Sequence, residues 1–81
     1  MKINVRLFAR ARDLAGLDHV ELDIPAEGCV SDVKRSLAAR FPQVSPLVSS
    51  LLVAVGTDYA DDRTVLSPGV EVACFPPVSG G

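Results

Sequence analysis

The residues best suited to chemistry close the chain: Phe75-Pro76-Pro77-Val78-Ser79-Gly80-Gly81. From Pro76 to Gly81 the segment can reach roughly 20 Å when extended. Its two prolines offer no amide hydrogen, so they hold the base of the segment away from a sheet. Its two glycines leave the tip without side chains. Such a tail can thread a narrow channel and present the Gly81 main-chain carboxylate to a reaction centre elsewhere. That carboxylate is ionised at neutral pH and inert toward nucleophiles. Reaction there requires an activated form such as an acyl adenylate, and the glycines minimise steric interference with the activation. The bland alternative is a frayed terminus, the common fate of a Gly-Ser ending.

The rest of the chemical inventory is thin. There is one histidine, His19, which reads as a strand residue without a catalytic role. Cys29 and Cys74 form no metal spacing and no disulfide framework, which fits a reducing compartment. They read as small buried or half-buried residues rather than sulfur relays. The acidic run Asp58–Asp62 lacks the glycine and glutamate of a calcium loop. Glycine-rich phosphate-binding motifs are missing too. A self-contained enzyme is therefore not expected, and neither is a bound metal.

The elements that would carry the tail follow from the apolar pattern. Ile3, Val5 and Leu7 alternate with Lys2, Asn4 and Arg6, which predicts a half-buried strand ended by Phe8. Ala9 to Ala15 predicts a short helical turn closed by Gly16. His19–Ile24 alternates again, with Val20, Leu22 and Ile24 inward, and Pro25 ends it. The main helix is expected from Asp32 to about Phe41, with Ser31 as its N-cap and Val33, Leu37 and Phe41 on one stripe. Pro42 ends it. Residues 43–50 read as irregular, Leu51–Val55 as a strand, and Gly56 to Arg63 as a polar loop holding Tyr59. After the Pro68-Gly69 turn, Val70–Phe75 forms the last strand.

This order predicts an α+β chain in the ubiquitin-like β-grasp arrangement. The first and last strands lie parallel side by side in a mixed sheet, with one main helix packed on one face. Residues 1–75 make the domain and 76–81 a flexible C-terminal tail. The uncovered sheet face would carry Phe8, Leu52, Ala54, Ala73 and Phe75, a cluster that suggests a docking surface.

Composition limits the partners. The 81 residues are 48% hydrophobic and 22% charged, with a net charge of −2. That is a globular composition in a chain large enough for one small core. Its field attracts neither nucleic acid nor an anionic membrane. Leu51 to Val55, the longest apolar run, is far short of a membrane span. The alternating start shows no signal peptide, so a cytoplasmic protein is expected.

The ending Phe75-Pro76-Pro77-Val78-Ser79-Gly80-Gly81 resembles that of the MoaD/ThiS family, the ubiquitin-like sulfur carriers that include molybdopterin synthase small subunits. The segment Val5 to Gly16, with Phe8, Arg12 and Asp13, resembles that family's first strand and turn. Leu66 to Ala73 resembles the stretch before its tail. Gly56 and Val70 depart from the family pattern, where asparagine and aspartate are common.

The resemblance implies a molybdopterin synthase sulfur carrier. An ATP-dependent activating enzyme would adenylate Gly81, leaving a transient acyl adenylate, and a thiocarboxylate would follow. No cofactor would be bound tightly. The tail, Pro76, Pro77, Val78, Ser79 and Gly80, would insert into the large subunit of the synthase, a heterotetramer of two large and two small subunits. There the sulfur would pass to cyclic pyranopterin monophosphate, a step of molybdenum cofactor biosynthesis, with catalytic residues supplied by the large subunit. Phe8, Arg12, Tyr59 and Phe75 would form the partner interface. Two alternatives share the fold and the activation: a carrier for another product, such as the thiamine type, and a ubiquitin-like modifier joined to protein lysines.

Overall fold

In the computed structural model, which describes residues 1–77, the first alternating segment becomes β1 (Lys2–Leu7). Ile3, Val5 and Leu7 are buried, while Lys2, Asn4 and Arg6 face outward. Phe8 then leads into α1 (Ala9–Ala15), which buries Ala11 and ends where the Gly16 N–H donates to the Arg12 carbonyl. β2 (His19–Asp23) returns antiparallel to β1, setting Leu22 beside Ile3 and Val20 beside Val5.

The main helix, α2 (Val30–Arg40), starts two residues before the expected Asp32, and its N-cap is Cys29 rather than Ser31. Neighbouring chain explains the shift. The Val30 N–H donates to the Thr64 carbonyl and the Ser31 N–H to the Asp62 carbonyl. These bonds satisfy amides that a helix start otherwise leaves to a side-chain cap. Asp32 accepts the Cys29 N–H at 2.9 Å, half of a capping box. The early start also turns Val30 into the core beside Val33 and Leu37. Each such fully buried side chain contributes roughly 1.5–3 kcal/mol, more than a better cap would supply. The helix ends at Arg40, as Pro42 requires, leaving Phe41 as the C-cap.

The turn before α2 needs a glycine for space. A Cβ on Gly28 would sit 2.8 Å from the Pro25 carbonyl oxygen and 3.2 Å from the Asp32 carboxylate.

Residues 43–50 are not irregular throughout. A 3-10 turn at Pro42–Val44 buries Val44, and one helical turn, α3 (Ser45–Val48), follows. Pro42 and Pro46 both occupy first-turn positions, where an amide hydrogen is not required.

β3 (Leu52–Val55) and β4 (Asp58–Ala60) form a hairpin, pairing Ala54 with Tyr59 and Val55 with Asp58. The expected loop from Gly56 to Arg63 therefore contains a strand. Gly56 makes it possible: its φ is +63°, the left-handed conformation a two-residue hairpin demands. An asparagine also tolerates that conformation.

β5 (Glu71–Phe75) lies in the middle of the sheet, whose order is β2-β1-β5-β3-β4. It runs parallel to β1 and antiparallel to β3. This is the mixed β-grasp sheet expected, with one strand more. The core fills the space between its inner face and α2, and includes Leu51, Val53, Leu66, Val72 and Cys74.

Candidate functional site

Strand period 2 sends alternate residues of every strand to the face opposite α2. On β5 those residues are Glu71, Ala73 and Phe75, and on β3 they are Leu52 and Ala54, paired as Leu52 with Phe75 and Ala54 with Ala73. Tyr59 joins the same face through its pairing with Ala54. Phe8 enters from the end of β1, anchored by its N–H, which donates to the Cys74 carbonyl at 3.2 Å.

Three rings thus line up at the end of the sheet. Phe8 and Phe75 meet edge to face with centroids 6.2 Å apart, and Tyr59 and Phe75 do so at 5.8 Å. Arg6 extends the row, its guanidinium carbon 5.9 Å from the Phe8 centroid. Phe8 is 40% exposed, Leu52 38% and Tyr59 74%. So much exposed ring surface at one spot is poorly explained by folding alone. Pro76 and Pro77 leave the sheet directly from the central ring, Phe75.

Of the expected interface residues, the fold gathers Phe8, Tyr59 and Phe75. Tyr59 reaches the row from a strand, not from a loop. Arg12 stands on α1, its Nε 3.6 Å from an Asp13 carboxylate oxygen, beside a shallow depression lined by Gly16, Leu17 and Asp18. Val78, Ser79, Gly80 and Gly81 lie outside the described residues. Arg6 was not singled out from the sequence, although its spacing of two from Phe8 places both on one strand face.

The sulfur-bearing side chains stand apart from this row. Cys74 is buried, and that burial pushes its thiol up to about 12, against a weaker opposing pull from the Lys34 charge. It stays a protonated thiol near neutral pH, the unreactive form of a buried cysteine. Cys29 is half-buried at the start of α2, with its Sγ 3.0 Å from the Ser31 hydroxyl. Asp32 beside it is held below the ordinary aspartate value. The Cys29 N–H is the main cause, opposed by burial and helped by the Cys29 thiol and Arg35. Among the described residues, no three His, Cys, Asp or Glu side chains come together as a metal site would require. No helix among them is long and apolar enough to cross a membrane.

Comparison with known proteins adds three findings. Residues 5–81 match the model of the ThiS family. The molybdopterin synthase sulfur carrier subunit of Arabidopsis thaliana is 32% identical over 81 residues, covering 100% of this chain and 84% of that one. Among solved structures, small archaeal modifier protein 1 of Haloferax volcanii superposes with a TM-score of 0.87 at 27% identity, covering 100% of both chains.

Proposed function

Because the chain belongs to the ThiS family, we propose that it is the sulfur carrier subunit of a molybdopterin synthase, acting in the cytoplasm. Full-length similarity to a curated carrier subunit is the observation that carries this reading. The aromatic row at the root of the Pro76-Pro77 segment supports it, because a carrier must dock on its partners beside the tail it delivers.

The reaction begins at the Gly81 carboxylate. An ATP-dependent activating enzyme adenylates it, and sulfide displaces AMP to leave a thiocarboxylate. Sulfur is the softer and stronger nucleophile, so the modified tail becomes a tethered reagent at high effective concentration. Phe8, Phe75 and Tyr59 then dock on the large subunit while Pro76 to Gly80 carry the thiocarboxylate into its active site. Cyclic pyranopterin monophosphate receives the sulfur there. A dithiolene needs two sulfurs, so the carrier is used, released and reloaded. The large subunit supplies acid–base and phosphate-binding groups, and two large with two small subunits make the heterotetramer.

Intact mass of the protein purified from cells able to load it tests this reading. One oxygen replaced by sulfur, located at Gly81 by fragmentation, is the expected result. Unmodified carboxylate alone, in the presence of ATP and a competent activating enzyme, defeats it.

A second reading has an observation in its favour. The likeness to a small archaeal modifier protein covers the whole chain. As a modifier, the same adenylated Gly81 would acylate a lysine amine instead of receiving sulfide. Stable amide adducts to many cellular proteins would favour this reading over a single dedicated partner.

A further inference from the structure

The sequence holds two lysines against six arginines, so it offers few amines to any activated carboxyl group. Guanidinium groups stay protonated in water and do not compete as nucleophiles. The two lysines are placed very differently. Lys34 has a side chain only 12% exposed, with Nζ held 2.8 Å from the Asp62 carboxylate. That ion pair and the surrounding chain block approach to it. The Met1 amine donates to the Ile24 carbonyl at 2.6 Å and is partly buried. Lys2 is the open one: its side chain is 66% exposed on the outward face of β1, and the nearest carboxylate, Glu21, is 3.5 Å away.

We propose that Lys2 is the self-acylation site of this chain, the amine that accepts the Gly81 acyl group of a second, activated copy. The inference rests on the reading that Gly81 is activated as an acyl adenylate. The Lys2 Nζ lone pair attacks the carbonyl carbon of that adenylate. A C–N bond forms, the carbonyl C–O bond to phosphate breaks, and AMP leaves with the electron pair. The proton lost from nitrogen goes to water or to Glu21. No oxidant or reductant is involved.

Geometry makes the donor a second copy. β5 runs parallel to β1, with Cys74 level with Leu7, so the chain leaves the sheet heading away from Lys2. Lys2 lies six residues behind Phe8, about 20 Å along the strand. The residues after Phe75 span roughly 20–22 Å at most, and they begin with two prolines pointing the other way. Those two prolines carry the chain about 6–7 Å further off, and the four residues left span about 13–14 Å at most, so a copy's own carboxylate falls short of its own Lys2. The product is an isopeptide-linked dimer with a domain tethered on the same face as Phe8 and Phe75, where it would obstruct docking. Few reactive amines thus keep an activated carrier from consuming itself, and Lys2 is the remaining point of leakage or control.

The test uses full-length chain carrying a chemical thioester at Gly81, mixed with nitrogen-15-labelled full-length acceptor and digested with trypsin. The expected product joins the donor's residues 64–81 to the acceptor's Met1–Arg6 peptide through Lys2. Lys2→Arg should remove most of this adduct in the folded chain, and unfolding in urea should bring Lys34 up to the level of Lys2. Equal acylation of Lys34 or the Met1 amine in the folded acceptor overturns the proposal. So does absence of adduct when a small amine added to the same tube consumes the thioester. The thioester bypasses the activating enzyme, so these outcomes are independent of the mass measurement that tests sulfur loading.

Discussion

Tyr59 and Phe75 stand edge to face with centroids 5.8 Å apart, although β3 runs between their strands. Ala54 makes this possible. It pairs with Tyr59 on one side and with Ala73 on the other, and its single methyl lets a ring lean across the intervening strand. Phe75 in turn meets Phe8 at 6.2 Å, so one residue at the end of the last strand holds the row together. The segment proposed to carry the chemistry begins at the next residue.

This relationship separates the two outer rings from the central one. Tyr59 is 74% exposed, so Tyr59→Ala should change unfolding free energy by no more than about 1 kcal/mol. Phe75→Ala removes both ring contacts and should cost about 1–3 kcal/mol of stability. For the large synthase subunit, each should weaken binding by about 2 kcal/mol, near thirtyfold in Kd. Urea unfolding and titration calorimetry with the purified large subunit measure the two effects. Unchanged affinity in both variants would assign the rings to packing alone.

Asp32 gives a prediction in acid. The Cys29 N–H, above all, favours its charged form, so its folded value lies below the unfolded one. A group of that sign contributes stability that is present above the ordinary aspartate value and lost as pH falls through the lowered folded value. Asp32→Asn should therefore be less stable than the parent at pH 7, and the gap should close as the solution is acidified below the ordinary value. Urea midpoints of both proteins across that range provide the check. A gap that persists unchanged into strong acid would show that charge is not the cause.

Much of the fold was readable because the strands are short and strictly alternating. Ile3, Val5 and Leu7, then Val20 and Leu22, leave no choice of buried face. Elements were missed where a distant partner replaced a local signal. Cys29 is a poor cap by side chain, and the helix starts there because Asp62 and Thr64 supply acceptors from far along the chain. Asp58–Ala60 looks like loop because Asp58 and Ala60 have low strand propensity; pairing with β3 across Gly56 outweighs it. At the site, Phe8 and Phe75 were legible from strand alternation. The position of Tyr59 depended on the unrecognised hairpin, and Arg6 on reading a cation as part of an aromatic row.

Cys74 gives the opposite pH behaviour to Asp32. Its thiol moves from an ordinary value of 9.0 to about 12, chiefly through burial. A neutral acid raised in this way gives stability that is full below the unfolded value and disappears as pH rises toward the folded one. Stability should fall between pH 9.0 and about 12, more steeply than in Cys74→Ala, which has no thiol to ionise. The variant itself should be less stable at pH 7 because it leaves a cavity. Thiol labelling checks the same burial: Cys29 should react in the folded protein and Cys74 only after unfolding. Rapid native labelling of Cys74 would contradict its placement beneath α2.

The separation of fold from chemistry can be tested at the last residue. The final strand ends at Phe75, with Val72 and Cys74 already buried and paired across to β1 and β3. Gly81 lies six residues beyond that strand and has no side chain, so deleting it leaves every strand pairing and core side chain of the described residues in place. Unfolding free energy should therefore stay within about 0.5 kcal/mol of the parent, the usual range for changes away from packed features. Sulfur loading should be lost, since Ser79-Gly80 then presents its carboxylate one residue short of the activating centre. Tail length and tail identity separate in a second variant, Gly81→Ala, which restores the reach and adds one methyl beside the carboxylate. Recovery of loading in that variant would make length the requirement. Continued failure would make the bare glycine itself the requirement, because a Cβ at the reacting carbonyl cannot be moved aside.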